Sequence, residues 1–168
     1  MIETERLLLR PQRIDDFERL HALTASEEVY RYLGGQASIE DNYRRLLAVI
    51  GAWSVFGFDR FAVIERDGGA LVGTCGIFRQ MRGLGEGFDG HPEAGWIIRS
   101  DRWGQGYASE AMRATIDWFE RTQGRQPTVC MIVPENLASA RIAAKLGYRL
   151  TRAADYKGEA VNLYRREP

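Results

Sequence analysis

Residues 94–122 constrain this chain more than any other segment. An apolar run, Ala94-Gly95-Trp96-Ile97-Ile98-Arg99, leads through Ser100-Asp101-Arg102-Trp103 into the paired glycines of Gly104-Gln105-Gly106, and a helix opens at Tyr107-Ala108-Ser109-Glu110. Ala108, Ala111, Met112, Thr115 and Phe119 recur at i, i+3, i+4, i+7 and i+11, one face of a 3.6-residue period. Strand, glycine turn and helix in that order make an anion site. Gly104 and Gly106 let the backbone approach a ligand, and the first N–H groups of the helix lack intrahelical acceptors.

Paired glycines alone mark many turns that bind nothing. Two phosphate-binding signatures are excluded by their missing parts. No G-x-x-x-x-G-K-[ST] occurs, and Ser109 stands where the dinucleotide fingerprint needs a third Gly or Ala. A second segment, 129–148, decides the matter. It reads as a strand, then Asn136-x-x-Ser139, then a short helix closing on Lys145-Leu146-Gly147-Tyr148. This resembles the second motif of the GNAT acyl-CoA N-acyltransferases. Trp103-Gly-Gln-Gly-Tyr-Ala-Ser-Glu-Ala111 resembles that superfamily's pyrophosphate loop, in the form used by the branch of ribosomal-protein-serine/alanine N-terminal acetyltransferases, and Thr4-Glu5-Arg6-Leu7-Leu8-Leu9-Arg10-Pro11 is similar to the same branch.

The rest of the chain reads consistently with one α/β domain over 1–168. Leu7-Leu8-Leu9 form a first strand. Asp15 and Asp16 cap a helix with Phe17, Leu20, His21 and Thr24 on one side, and Ser38-Ile39-Glu40-Asp41 opens a second helix with Tyr43, Leu46, Leu47, Ile50 and Trp53 at helical spacing. Strands at 61–64 and 71–78 flank an Asp67-Gly68-Gly69 hairpin turn, and two strands close the chain near 148–152 and 160–165. The β-αα-βββ-α-β-α-ββ order predicts a mixed α/β (α+β) sheet of about seven strands with helices on both faces. It is also the GNAT order, and the resemblance implies a splay between strands four and five, here 94–99 and 128–133.

Acidic and basic residues balance at 23 each, so no bulk positive field argues for nucleic acid. Arg99, Arg102, Arg141 and Lys145 flank the motifs, either as phosphate partners or as solvated surface charge. Cys75 and Cys130 lie in separate apolar runs and form no disulfide framework, which suits a reducing cytoplasm. No run approaches the roughly 20 apolar residues of a membrane span. No metal-ligand spacing and no G-x-S-x-G turn is present, so neither metal nor serine-hydrolase chemistry is expected.

The resemblance implies acetyl-CoA as cosubstrate and an amine as acceptor in a monomer or homodimer. It assigns the pyrophosphate to the N–H groups of Gln105, Gly106, Tyr107, Ala108 and Ser109, beside Gly104. It assigns pantetheine to the main chain of Ile97, Ile98 and Arg99, and the developing oxyanion to an N–H near Trp96 or Ile97. Asn136 is an N-cap by position and a cofactor contact by resemblance. Many relatives place a tyrosine proton donor four residues after the Ser139 position, but this chain has Ala143. Ser139 becomes the candidate, as proton donor or sulfur contact, or else as a first-turn serine that bonds only backbone.

Glu93 is the candidate general base through water, with His91 the alternative. Stripping a proton at pH 7 costs roughly 4–5 kcal/mol for a lysine amine but only about 1 kcal/mol for an α-amine. A site with no obvious base therefore fits an N-terminal α-amine, with a small amine, amino acid or aminoglycoside as alternatives. The two early helices and the glycine-rich 83–91 loop are expected to choose the acceptor, the loop by adapting or closing over it. A silent CoA-binding sensor is the rival reading, motivated by Ala143.

Overall fold

A computed structural model describes residues 1–168. The strands are β1 (Ile2–Glu3), β2 (Leu7–Pro11), β3 (Arg60–Glu65), β4 (Leu71–Phe78), β5 (Glu93–Ile98), β6 (Thr128–Ile132), β7 (Arg149–Tyr156) and β8 (Glu159–Arg166). The helices are α1 (Phe17–Ala25), α2 (Glu27–Tyr30), α3 (Ile39–Phe56), α4 (Tyr107–Gln123) and α5 (Leu137–Lys145). Local chemistry accounts for the helix starts. Ser38 Oγ accepts the Asp41 N–H at 3.0 Å to cap α3, and Asn136 Oδ1 accepts the Ser139 N–H at 3.0 Å to cap α5. Asp16 does not act as a free cap. It is fully buried, takes both guanidinium nitrogens of Arg10 at 2.7 Å and accepts the Arg13 N–H at 2.9 Å.

All eight strands share one sheet, in the order β1-β2-β3-β4-β5-β6-β8-β7. The two-residue β1 and the single-turn α2 are too short to leave a periodic signature, and they add to the seven strands and two early helices expected. Strand alternation divides the sheet into two faces. Leu7, Leu9, Phe61, Val63, Cys75, Ile77, Ala94 and Ile98 form one core with Ala111, Met112, Ile116 and Phe119 of α4 and with Ala143 and Leu146 of α5. On the opposite face Leu20 of α1 packs on Leu8, Ala62, Ile64 and Leu71. Phe88, from the segment between β4 and β5, packs on Val129, Val161 and Leu163.

The 79–92 segment is tied to the rest of the chain at several points. Phe88 is buried, Arg152 donates to the Leu84 carbonyl, Arg165 reaches His91 Nε2 at 3.0 Å, and Arg82 grips Glu93. Four such ties, each from a different point along the loop, offset the backbone freedom of its glycines. No helix is long and apolar enough to cross a membrane. Both thiols are free and buried, and burial pushes the Cys75 thiol up to about 12.

Candidate active site

The parallel pair β5 and β6 is joined at a single register point, Glu93 with Val129. Beyond it the two strands part. On its other edge β5 is fully paired with β4, and the Arg99 N–H donates to the Val72 carbonyl at 2.9 Å. Antiparallel alternation then turns the main-chain groups of Ile97 toward β4 as well, and those of Trp96 and Ile98 toward the gap. Of the strand residues expected to face an extended ligand, Ile98 and Trp96 therefore do so through their backbone, whereas Ile97 spends its groups inside the sheet and Arg99 donates its N–H to Val72 while its carbonyl accepts the Arg102 N–H. The Ile98 carbonyl is partly claimed, because Trp103 Nε1 donates to it at 2.7 Å. Trp96 Nε1 is buried with no hydrogen-bond partner on the chain, an unusual state for an indole donor.

At the open end of the gap the chain makes a 3-10 turn, Ser100–Arg102, and enters the glycine loop. Gly104 and Gly106 adopt φ of 74° and 83°, backbone that side chains with a Cβ avoid. The N–H groups of Gly104, Gln105, Gly106, Tyr107, Ala108 and Ser109 have no acceptor anywhere on the chain, and the first α4 bond is Glu110 N–H to the Gly106 carbonyl at 3.0 Å. Consecutive free donors at a helix N-terminus form an anion cradle.

Long-range contacts hold this cradle in place. Arg6 donates to the Gln105 carbonyl at 2.9 Å and lies 4.4 Å over the Tyr107 ring, while its other nitrogens engage Glu110. Tyr107 Oη and Arg102 Nε donate to Glu65 at 2.9 and 2.8 Å. This explains why the Thr4–Pro11 segment and the loop belong to one signature despite their separation in sequence. Arg99 and Arg102 are committed to Asp101 and Glu65. The unpaired cations near the loop are instead Arg113 and Lys145, which line an open groove of about 540 Å³ with Gly106, Ser109 and Asp117. Arg113 lies outside both motif cores, so no local pattern marks it.

Asn136 and Ser139 stand at the start of α5, on the β6 side of the gap. Asn136 is occupied as the α5 cap, and Ser139 is partly buried with its hydroxyl unpaired on the chain. Ala143 is fully buried beneath α5 and presents nothing to the gap. At the closed end stands Glu93, which is neither solvated nor unpaired. Glu93 is 5% exposed, and Arg82 donates to its two oxygens at 2.6 and 2.8 Å. Arg82 also donates to Tyr156 Oη at 3.0 Å. The bidentate guanidinium clamp thus occupies both carboxylate oxygens of Glu93. His91 is likewise engaged, since Arg165 can only donate to its Nε2. The Arg82–Glu93–Tyr156 cluster has no spacing that a linear reading can detect.

A sheet parted between two parallel strands, with an anion cradle at the mouth and an orphan donor inside, is the build of an acyl-CoA N-acyltransferase. The profile of the acetyltransferase (GNAT) domain matches residues 6–149. N-acetyltransferase p20 of Bacillus licheniformis, described as uncharacterized, is 27% identical over 96% of this chain and 91% of its own length. A structure assigned to the GNAT-family acetyltransferases of Bordetella pertussis is 33% identical, covers 98% of both chains and superposes with a TM-score of 0.89. The fold, at 17% identity, is also that of the Salmonella typhimurium acetyltransferase that modifies the N-terminal serine of ribosomal protein L7/L12, with a TM-score of 0.79 over 98% of this chain and 96% of that one. The chain belongs to the GNAT family and is an N-acetyltransferase. A silent binding module is the weaker reading against that background.

Proposed function

We propose that this enzyme transfers acetyl from acetyl-CoA directly to a primary amine, and that the amine is a protein N-terminal α-amine. One observation carries the donor assignment: the six successive free N–H groups from Gly104 to Ser109. In this reading Gly104, Gln105, Gly106, Tyr107, Ala108 and Ser109 hold the diphosphate. Arg113 and Lys145 meet the outer phosphate from the groove. The main chain of Trp96 and Ile98 holds the pantetheine arm, Ile97 and Arg99 keep that strand in register, and Asn136 bounds the gap opposite. Acetyl-CoA supplies an activated acetyl thioester. Ser139 Oγ supplies a proton from the start of α5, and Glu93 with Arg82 fixes the closed end of the gap.

The α-amine assignment rests on the motif resemblance and on proton energetics. Glu93 is clamped by Arg82 and His91 accepts from Arg165, and an α-amine needs only about 1 kcal/mol to lose its proton at pH 7. We place the activity in the cytoplasm, where two unpaired thiols persist.

Calorimetry with acetyl-CoA and a free-thiol assay across peptides, amino acids and aminoglycosides test the reading. Mass spectrometry of a cell extract incubated with isotopically labelled acetyl-CoA identifies the acceptor. Labelled protein N-termini are expected. Tight binding without acceptor-dependent thiol release would overturn the transferase reading, and label confined to lysine side chains would overturn the α-amine.

A further inference from the structure

On the sheet face opposite α4, Gly76 and Gly95 are partners across β4 and β5. Both are approached closely. A Cβ at Gly76 would lie 2.5 Å from Arg60 Cα, and one at Gly95 would lie 3.0 Å from the Phe78 ring. Phe78 therefore leans over Gly95 while Arg60, paired with Gly76 from β3, reaches across to place its guanidinium 4.0 Å above the Phe78 ring. The gap between β5 and β6 closes at Glu93, which pairs with Val129 on one side and with Phe78 on the other. The guanidinium over the Phe78 ring therefore lies toward the end where an arm running along β5 must stop.

Arg60 stands out among the cations here. Arg82 is matched by Glu93, whereas Arg60 makes no ion pair within 4.0 Å and its side chain donates to nothing on the chain. It is partly buried, enough that desolvation lowers its pKa from the ordinary guanidinium value, although none of its nitrogens is sealed from water. Its charged neighbours are Asp59, Glu93, Arg82 and Arg45. Asp59 Oδ1 is turned to the Arg60 main-chain N–H at 2.7 Å, and Glu93 is spent on Arg82. Arg79, exposed just past β4, also lacks an ion pair. Stacking on Phe78 fixes the plane of the Arg60 fork and leaves its edge donors free, an arrangement suited to a carboxylate. The same positive charge repels an acceptor that is only cationic.

We propose that Arg60 is the carboxylate anchor of the acceptor site, and that the preferred acceptor is an amine with a carboxylate a few bonds away. This rests on the amine-acetylation reading. The carboxylate is either that of a free amino acid or that of an acidic side chain beside a peptide N-terminus, and paired acceptors separate the two: alanine against alaninamide, and Ala-Glu-amide against Ala-Gln-amide.

With acetyl-CoA saturating, the carboxylate member of one pair should have a kcat/KM about tenfold or more above its neutral partner, the scale of one charge-assisted hydrogen-bonded contact, with the difference in KM. In Arg60→Gln that ratio should collapse toward one, and Arg60→Lys should restore part of it. Equal kcat/KM within both pairs, or a ratio unchanged in Arg60→Gln of wild-type melting temperature, overturns the proposal. Absence of thiol release with every acceptor overturns the transferase reading instead. Calorimetry of the same pairs on the CoA-loaded protein then still decides the anchor, since equal affinities within both pairs reject it.

Discussion

Arg6 and Glu110 meet at 2.6 Å across the junction of the N-terminal segment and the first turn of α4. Glu110 also accepts from Thr4 Oγ1 at 2.6 Å and from the Arg6 N–H at 3.0 Å, so one carboxylate ties the start of the chain to the loop. Glu110→Gln should destabilise the fold by about 1–2 kcal/mol, kept below the buried-pair range because Arg6 is 40% exposed. It should also weaken acetyl-CoA binding by freeing Arg6 from the Gln105 carbonyl. Denaturant titration and calorimetry on the same sample measure both.

Acid should unfold the protein through two carboxyls. Burial alone would raise Asp16, but Arg10 and the Arg13 N–H more than offset it; burial would raise Glu110 too, but Thr4 and Arg6 hold it below the usual carboxylate range. A depressed folded-state pKa gives stability that is present above the unfolded value, about 4, and is lost as pH falls through the folded one. Stability should therefore hold at neutral pH and decline steadily below about pH 4–5. Asp16→Asn should remove part of that slope and cost about 3 kcal/mol or more, since it leaves Arg10 poorly compensated.

Gly106→Val should lower acetyl-CoA affinity at least tenfold, by forcing a β-branched residue into φ 83° at the N-terminus of α4 and turning away neighbouring donors. Gly104→Ala is gentler. Its Cβ meets open space, so the cost is the left-handed backbone alone, roughly 1 kcal/mol. Melting temperature and calorimetric Kd separate the two effects.

Glu93 and Arg82 should behave as a unit. Arg82→Ala leaves a buried carboxylate unpaired and should cost about 3–5 kcal/mol, while the double variant with Glu93→Gln should cost less than the sum of the single changes. An anchoring Glu93 predicts that Glu93→Gln keeps the wild-type pH profile of kcat/KM. Loss of that profile's acidic limb would restore the general-base role.

Ser139→Ala should lower kcat well before it changes acetyl-CoA affinity, because its N–H still bonds Asn136 and the cap survives. Asn136→Ala should do the opposite to the fold. Losing the α5 cap should cost about 1 kcal/mol. Wild-type kcat in Ser139→Ala would remove the proton-donor role.

The sequence by itself determined every element long enough to carry a period. Phe119 and Met112 lie in the core where the α4 spacing put them, and Tyr148 is buried with its hydroxyl 2.8 Å from Thr128. It also determined the loop, because the glycines and the helix start that free the N–H groups are local chemistry. What only the tertiary structure decided is which side chains meet. Arg99 and Arg102 paired with the carboxylates of Asp101 and Glu65, Arg113 faced the groove, Glu93 was claimed by Arg82, and Arg60 was left without a partner. Hydrophobic periodicity is written along one chain segment, whereas the partner of a charge is set by strand register and by loops that arrive from far away, and no local pattern encodes that distance.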